Sequence, residues 1–198
     1  MKICEPNNQF FDLEQVKLDL QKFIIQDEPL VSPPCAGCQQ HLPDICSPKC
    51  PEAPKSLSVD PIQYPIERSV VALVFELNAI RLFETCWSCE GHIREGESQI
   101  WKIPQVCFYS QSSIYAKLLS THLSKLFIQK KLKYNWLLCL SDISQSIHPA
   151  YNIQPDLTNQ FEPSLGLLQN DMRTIGNDLQ RHLKAEARSL LTKITAIQ

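Results

Sequence analysis

No stretch of this 198-residue sequence approaches the roughly 20 consecutive apolar residues that span a bilayer. The first residues, MKICEPNNQFFDLEQ, also lack the apolar core of a secretory signal peptide. Together these absences predict a cytoplasmic chain with no membrane partner. A surplus of charge is missing too: 19 Lys and Arg stand against 21 Asp and Glu, a formal charge of -2. No global field therefore draws the chain to nucleic acid or to an anionic surface. Internal repeats and low-complexity segments are absent. At this length one main domain can bury a core without disulfide help.

What is present in quantity is cysteine, nine residues, and proline, fourteen. In a cytoplasmic chain such cysteines are expected as thiols or metal ligands rather than disulfides. Nine of the prolines and four of the cysteines fall between Pro29 and Pro65, where periodicity is almost lost. Proline at that density does not form a packed element unaided. Within it, CAGCQQHLPDICSPKC places Cys35, Cys38, Cys46 and Cys50 in a C-x2-C then C-x3-C arrangement. Two- and three-residue spacers bring four thiolates within about 2.3 Å of one ion, so the pattern predicts a closed, structural zinc site whose metal supplies the missing folding energy. An iron–sulfur cluster on the same residues is the alternative, and His41 is a substitute ligand.

Apolar positions Leu13, Val16, Leu20, Phe23 and Ile24 recur at helical spacing behind Asp12, which with Gln15 forms a capping-box-like start. After Pro65, IERSVVALVFELN is apolar on most sides and predicts a buried helix ending near Asn78. RLFETCWS and PQVCFYS read as strands flanking a polar loop. Ser112 and Ser113 can cap a helix with the stripe Ile114, Leu118, Leu119, Leu123, Leu126 and Phe127. NWLLCLSDI reads as a central strand, with AYNIQPDL able to pair back on it. Strand, helix, strand between Val106 and Leu140 implies a crossover with at least one parallel pair. From Ser164 to Ile197 a helix is expected to break at Gly176. The fold class predicted is α+β, a mixed sheet of about four strands packed with helices. Residues 1–64 would carry the first helix and the metal loop, and 65–198 the main domain.

The stretch ETCWSCEGH, residues 84–92, packs potential chemistry into the end of a strand. A redox C-x-x-C is expected to open a helix, whose N-terminus lowers the thiol pKa, and this one leads into a loop instead. A second zinc on Cys86, Cys89 and His92 would need the strand to end by Ser88, and a fourth ligand from Cys107, Cys139 or His148. The remaining chemical reading makes Cys89 the reactive group with His92 and Glu90 as acid, base or positioning groups. Ser88 and Gly91 would then shape a ligand site, Gly91 freeing backbone N–H groups for an anion. The bland reading is a strand-end turn with a buried cysteine and a solvated histidine.

The helix with its Leu77-Asn78 end, the strand FETCWSCEGH and the strand PQVCFYS resemble a region of wybutosine-synthesis methyltransferase-like proteins, in which such a helix precedes a Thr-x-x-Ser-Cys-x-Gly stretch. The resemblance covers about residues 66–142. It implies a loop in or near a site linked to S-adenosylmethionine and modified tRNA, with Thr85, Ser88, Cys89 and Gly91 at the matching positions. Glu90 and His92 stand where that family tends to carry serine and arginine. Small bacterial proteins of unknown function have a similar Ser-Cys-Glu-Gly-His loop.

Two functions follow. One is an enzyme or ligand-binding protein acting at Ser88–His92 on a small molecule or RNA, with an RNA-modification connection. The other is a non-enzymatic zinc-containing adaptor whose C-terminal helix mediates self-association, as in a homodimer, or partner binding, with Cys89 structural. They separate on Cys89: the first expects an accessible thiol of depressed pKa.

Overall fold

A computed structural model describes residues 12–26, 37, 46, 48–96, 98–141, 149–160 and 162–196. Cys35, Cys38, His41 and His148 lie outside the described residues, so the four-cysteine site is seen only through Cys46 and Cys50.

Helix α1 spans Leu13–Ile25, opened by the Asp12 carboxylate accepting from the Gln15 N–H. A short turn of helix, α2, covers Ala53–Ser56, and α3 covers Val71–Ala79. The chain then returns as β1, Phe83–Cys89. A two-residue strand β2, His92–Ile93, pairs with β3, Ile100–Lys102, and β4 follows over Gln105–Ser110. Ser112 caps α4, Ser113–Ile128, through its hydroxyl and the Ile114 N–H. β5 is Trp136–Ser141, β6 is Ala150–Pro155, α5 is Leu165–Gly176 and α6 is Leu179–Ala196. None of these helices is long and apolar enough to cross a membrane.

The fold is α+β, with four strands in the order β1-β4-β6-β5 and every ladder antiparallel. Among the described residues the expected parallel pair does not form. Helix α4 does carry the chain from β4 to β5, but β6 turns back between them and separates the two by one strand. β5, expected at the centre, is therefore an edge strand, and its Leu140 is 72% exposed.

Residues directly opposite in register share a face. Phe83, Thr85, Val106, Phe108, Tyr151, Ile153, Trp136 and Leu138 accordingly fall on one face, which carries the main core. Phe108 lies edge-on to Phe83 and stacks on Tyr151. Leu20 and Phe23 of α1 join this same core, and Phe23 meets Tyr115 edge-on. The tail breaks where glycine predicted, and the packing adds a reason. A Cβ on Gly176 would lie 3.0 Å from the Leu73 Cα, so glycine lets α5 press its backbone on α3. Asp171 of α5, 1% exposed, accepts from the Lys133 and Tyr134 N–H groups and from the Trp136 indole at 3.1 Å. This carboxylate ties α5 to the start of β5, the kind of satisfied arrangement a buried charge requires.

Candidate metal centre

α3 and β1 form an antiparallel helix–strand return. Asn78 at the helix end holds the strand start, its Oδ1 accepting from both the N–H and the hydroxyl of Thr85. The return places the residues before α3 beside the end of β1, and there the segment Ile66–Val70 meets the Cys89–His92 turn.

Two carboxylates clamp these segments reciprocally. Glu90 Oε2 accepts from the Ser69 N–H at 2.8 Å, and Glu67 Oε2 accepts from the Glu90 N–H at 2.7 Å. Gln169 of α5 donates to the Glu90 carbonyl at 3.2 Å. Gly91 adopts φ +84, and a Cβ there would lie 2.7 Å from Leu165 Cδ1 and 2.8 Å from Pro104 Cδ. Only glycine fits both the left-handed backbone and the space.

The turn brings His92 Nε2 to 2.9 Å from the second oxygen of Glu67, Oε1. Cys89, at 1% exposure, completes the group: one donor atom from each of Glu67, Cys89 and His92 lies within 4.8 Å of the others. These three residues could hold a metal ion. Among the described residues they form the one such group of three or more histidine, cysteine or acidic side chains. Trp101 stacks over His92 with ring centroids 6.0 Å apart and an interplanar angle of 28°.

Glu90, the acid adjacent to Cys89 in sequence, thus turns its carboxylate onto Ser69, and Glu67 supplies the acid of the group. The backbone N–H groups considered for an anion are both engaged, that of Gly91 with Cys89 Sγ at 3.4 Å and that of Glu90 with Glu67. Ser88 is half-buried and lines the cavity described below. Burial raises the Cys89 thiol pKa; the Gly91 N–H works against that, and the Glu67 charge adds to it. Cys86 takes another direction. The strand is irregular between Thr85 and Trp87, and the Cys86 thiol hydrogen-bonds Cys107 on β4, with burial and then that bond pushing its pKa up to about 12.

The second half of the cysteine loop packs next door. Cys46 and Cys50 are buried with Ala53 and Val71, and Leu57 and Ile66 lie against them. Cys50 Sγ accepts from the Glu52 N–H at 3.4 Å, and the Arg68 guanidinium donates to the Cys50 carbonyl at 2.9 Å. Ile66 N–H reaches the Pro54 carbonyl at 2.7 Å. The segment carrying Glu67 is therefore fastened to the cysteine loop on one side and to the Cys89 turn on the other.

A cavity of about 540 Å³ opens along β1, lined in part by Val59, Tyr64, Glu67, Trp87, Cys89, His92 and Lys102. Its size suits a small organic ligand. Glu67 carried no motif signal. The available clue was topological: a helix returning directly into an antiparallel strand sets the residues before the helix beside the end of the strand.

Comparison with protein-family models, with curated proteins and with solved structures finds no match to this chain. The resemblance to wybutosine-synthesis proteins consequently rests on its short motif.

Proposed function

We propose that Glu67, Cys89 and His92 form a mononuclear zinc centre of the open type, which binds a small ligand in the adjoining cavity. The observation that carries this is the convergence of a thiol, an imidazole and a carboxylate within 4.8 Å at the wall of that cavity. Tetrahedral zinc with bonds of about 2.0–2.3 Å sets its ligand atoms roughly 3.3–3.7 Å apart, so small movements bring this trio into place. Three protein ligands leave a fourth position for water or substrate, the mark of a catalytic rather than a structural site. Zinc bound there supplies a Lewis acid and lowers the pKa of bound water.

A nucleophilic Cys89 with His92 as its base is the competing use of the same groups. Against it stand the depth of the thiol and the engagement of His92 Nε2 with Glu67. A metal needs no pre-ionised cysteine, since coordination deprotonates the thiol.

Elemental analysis of the full-length protein tests the centre, alongside cobalt substitution read by thiolate-to-cobalt charge transfer. Cys89→Ser and His92→Ala should each remove one equivalent and the single-thiolate signal, while a Cys46→Ser, Cys50→Ser double variant keeps that signal. Metal content unchanged by both Cys89→Ser and His92→Ala would overturn the proposal.

A further inference from the structure

The cavity beside this centre is lined by one lysine, Lys102. Lys102 stands opposite His92 in the β2–β3 register, which places both on one face of the ribbon. It is half-buried, and among the described residues it makes no ion pair. Its ammonium rests 4.7 Å from the Trp87 ring centroid. Such a contact engages one side of the ammonium and leaves its donors on the other sides to meet a ligand. Glu67, the acid lining the same cavity, is committed to His92 and to the Glu90 N–H.

The rest of the lining is largely apolar. Leu57, Val59, Pro65, Ile66, Val74 and Trp87 contribute to the wall. Several side chains about it stand uncovered: Val59 is fully exposed, Tyr64 65% and Trp87 42%. A half-buried cation beside uncovered apolar surface is complementary to a molecule with an anionic end and an apolar body.

We propose that this cavity binds a small amphipathic oxyanion, an organic carboxylate or phosphate ester. Lys102 holds its charged group at the open side of the Glu67–Cys89–His92 centre, and the wall from Leu57 to Val74 together with Trp87 takes its apolar part. The assignment rests on the zinc-centre reading for the second contact of the oxyanion. Lys102 is the specificity-determining residue, because it alone of the lining side chains is a fixed cation. Inorganic phosphate satisfies the charge and forfeits the apolar wall; a neutral alcohol does the reverse.

Calorimetric titration of the zinc-loaded full-length protein tests this, with phenylacetate and phenyl phosphate as probes and phenylethanol and inorganic phosphate as controls. The two anionic probes should bind about ten- to hundredfold more tightly than either control, the range expected of one charge-assisted hydrogen bond. The tighter of the two identifies the headgroup. Lys102→Met should abolish that preference at unchanged zinc content, and Lys102→Arg should keep it. Equal binding of phenylethanol, indifference to Lys102→Met, or no binding by zinc-loaded protein would each overturn the proposal and leave the metal centre standing. Lys102-dependent binding by a protein that takes no zinc at Cys89 would sink the zinc-centre reading and keep the oxyanion site.

Discussion

Oε1 of Glu67 lies 2.9 Å from Nε2 of His92, while Oε2 of the same carboxylate accepts the Glu90 N–H at 2.7 Å. One side chain therefore both contributes to the candidate centre and fixes the backbone of the turn that carries its two other members. Glu90 performs only the second kind of task, through Ser69.

This division of labour separates two carboxylates that composition makes equivalent. Glu67→Gln keeps the size of the side chain and removes its charge, and should weaken zinc binding at the Cys89 centre by at least about tenfold. Glu90→Gln should cost about 1–2 kcal/mol of stability through its lost charge-assisted hydrogen bond, with zinc affinity nearly unchanged. Competitive chelator titration and thermal melts of the two variants read the difference. An equal loss of affinity in both would show that the turn, not the ligand, had been disturbed.

Gly91 is the next position at which the site is exposed to a single change. Alanine there would hold a left-handed backbone, at about 1–2 kcal/mol, and force its methyl against Leu165 and Pro104, at roughly 1–3 kcal/mol more. Gly91→Ala should therefore lower the denaturation midpoint clearly and reduce zinc content at the Cys89 centre. Combining it with Leu165→Ala relieves the contact with Leu165 and leaves that with Pro104 and the backbone cost in place. The expected result is a coupling of at least about 0.5 kcal/mol between the two substitutions, measured by denaturant unfolding. Strict additivity would place the cost in the backbone and in the contact with Pro104 rather than in the contact with Leu165.

How much of this was legible in the chain depended on the range of the interaction. Asp12 before α1, Ser112 before α4 and Gly176 at the tail break act within a turn or two, and each left a local signature. Strand order did not. WLLCL reads as a central strand because it is apolar, yet Leu137 and Leu140 lie exposed on β5, while the more polar β6, with Asn152 and Gln154, occupies the interior of the sheet. The open face of the sheet accepts polar side chains, so burial on one face alone cannot rank strands by position. Cys89, Gly91 and His92 were visible as a cluster because they share one turn. Glu67 was hidden because its proximity is a product of the α3–β1 return, and the adjacent Glu90 offered a nearer but misdirected acid.

The paired thiols on β1 and β4 give a third expectation. Cys86 is exposed as a residue, but burial and the hydrogen bond to Cys107 hold its pKa near 12. Since the thiolate is the nucleophile, iodoacetamide should modify Cys86 slowly at neutral pH despite its access. Cys107→Ala removes the second of those causes and should speed the reaction several-fold, as followed by peptide mass spectrometry. Rapid labelling of Cys86 in the unaltered protein would contradict the arrangement of the two thiols.

Glu76, on α3, contributes a pH dependence to the stability of the fold. Its carboxyl is raised to about 7 from an ordinary value of 4.5, first by burial and then by the Asp178 charge, with the Gln180 N–H opposing. A folded-state pKa above the unfolded one means that the native state binds more protons between the two values, so stability falls as pH rises through that window. The contribution is fully present below about 4.5, is lost progressively toward 7, and changes no further above it. Because Glu76 is partly exposed, solvent screening will moderate the effect. Denaturant midpoints taken from pH 5 to pH 8 should accordingly decline relative to those of Glu76→Gln, which is neutral throughout; the variant is the reference because His122, its pKa lowered to about 4 first by burial and then by His182, raises stability with pH over an overlapping range. Asp178→Asn offers a check on the cause: with the repelling charge gone, the same decline should move to lower pH and shrink, whereas a profile left unmoved would assign the shift to burial alone.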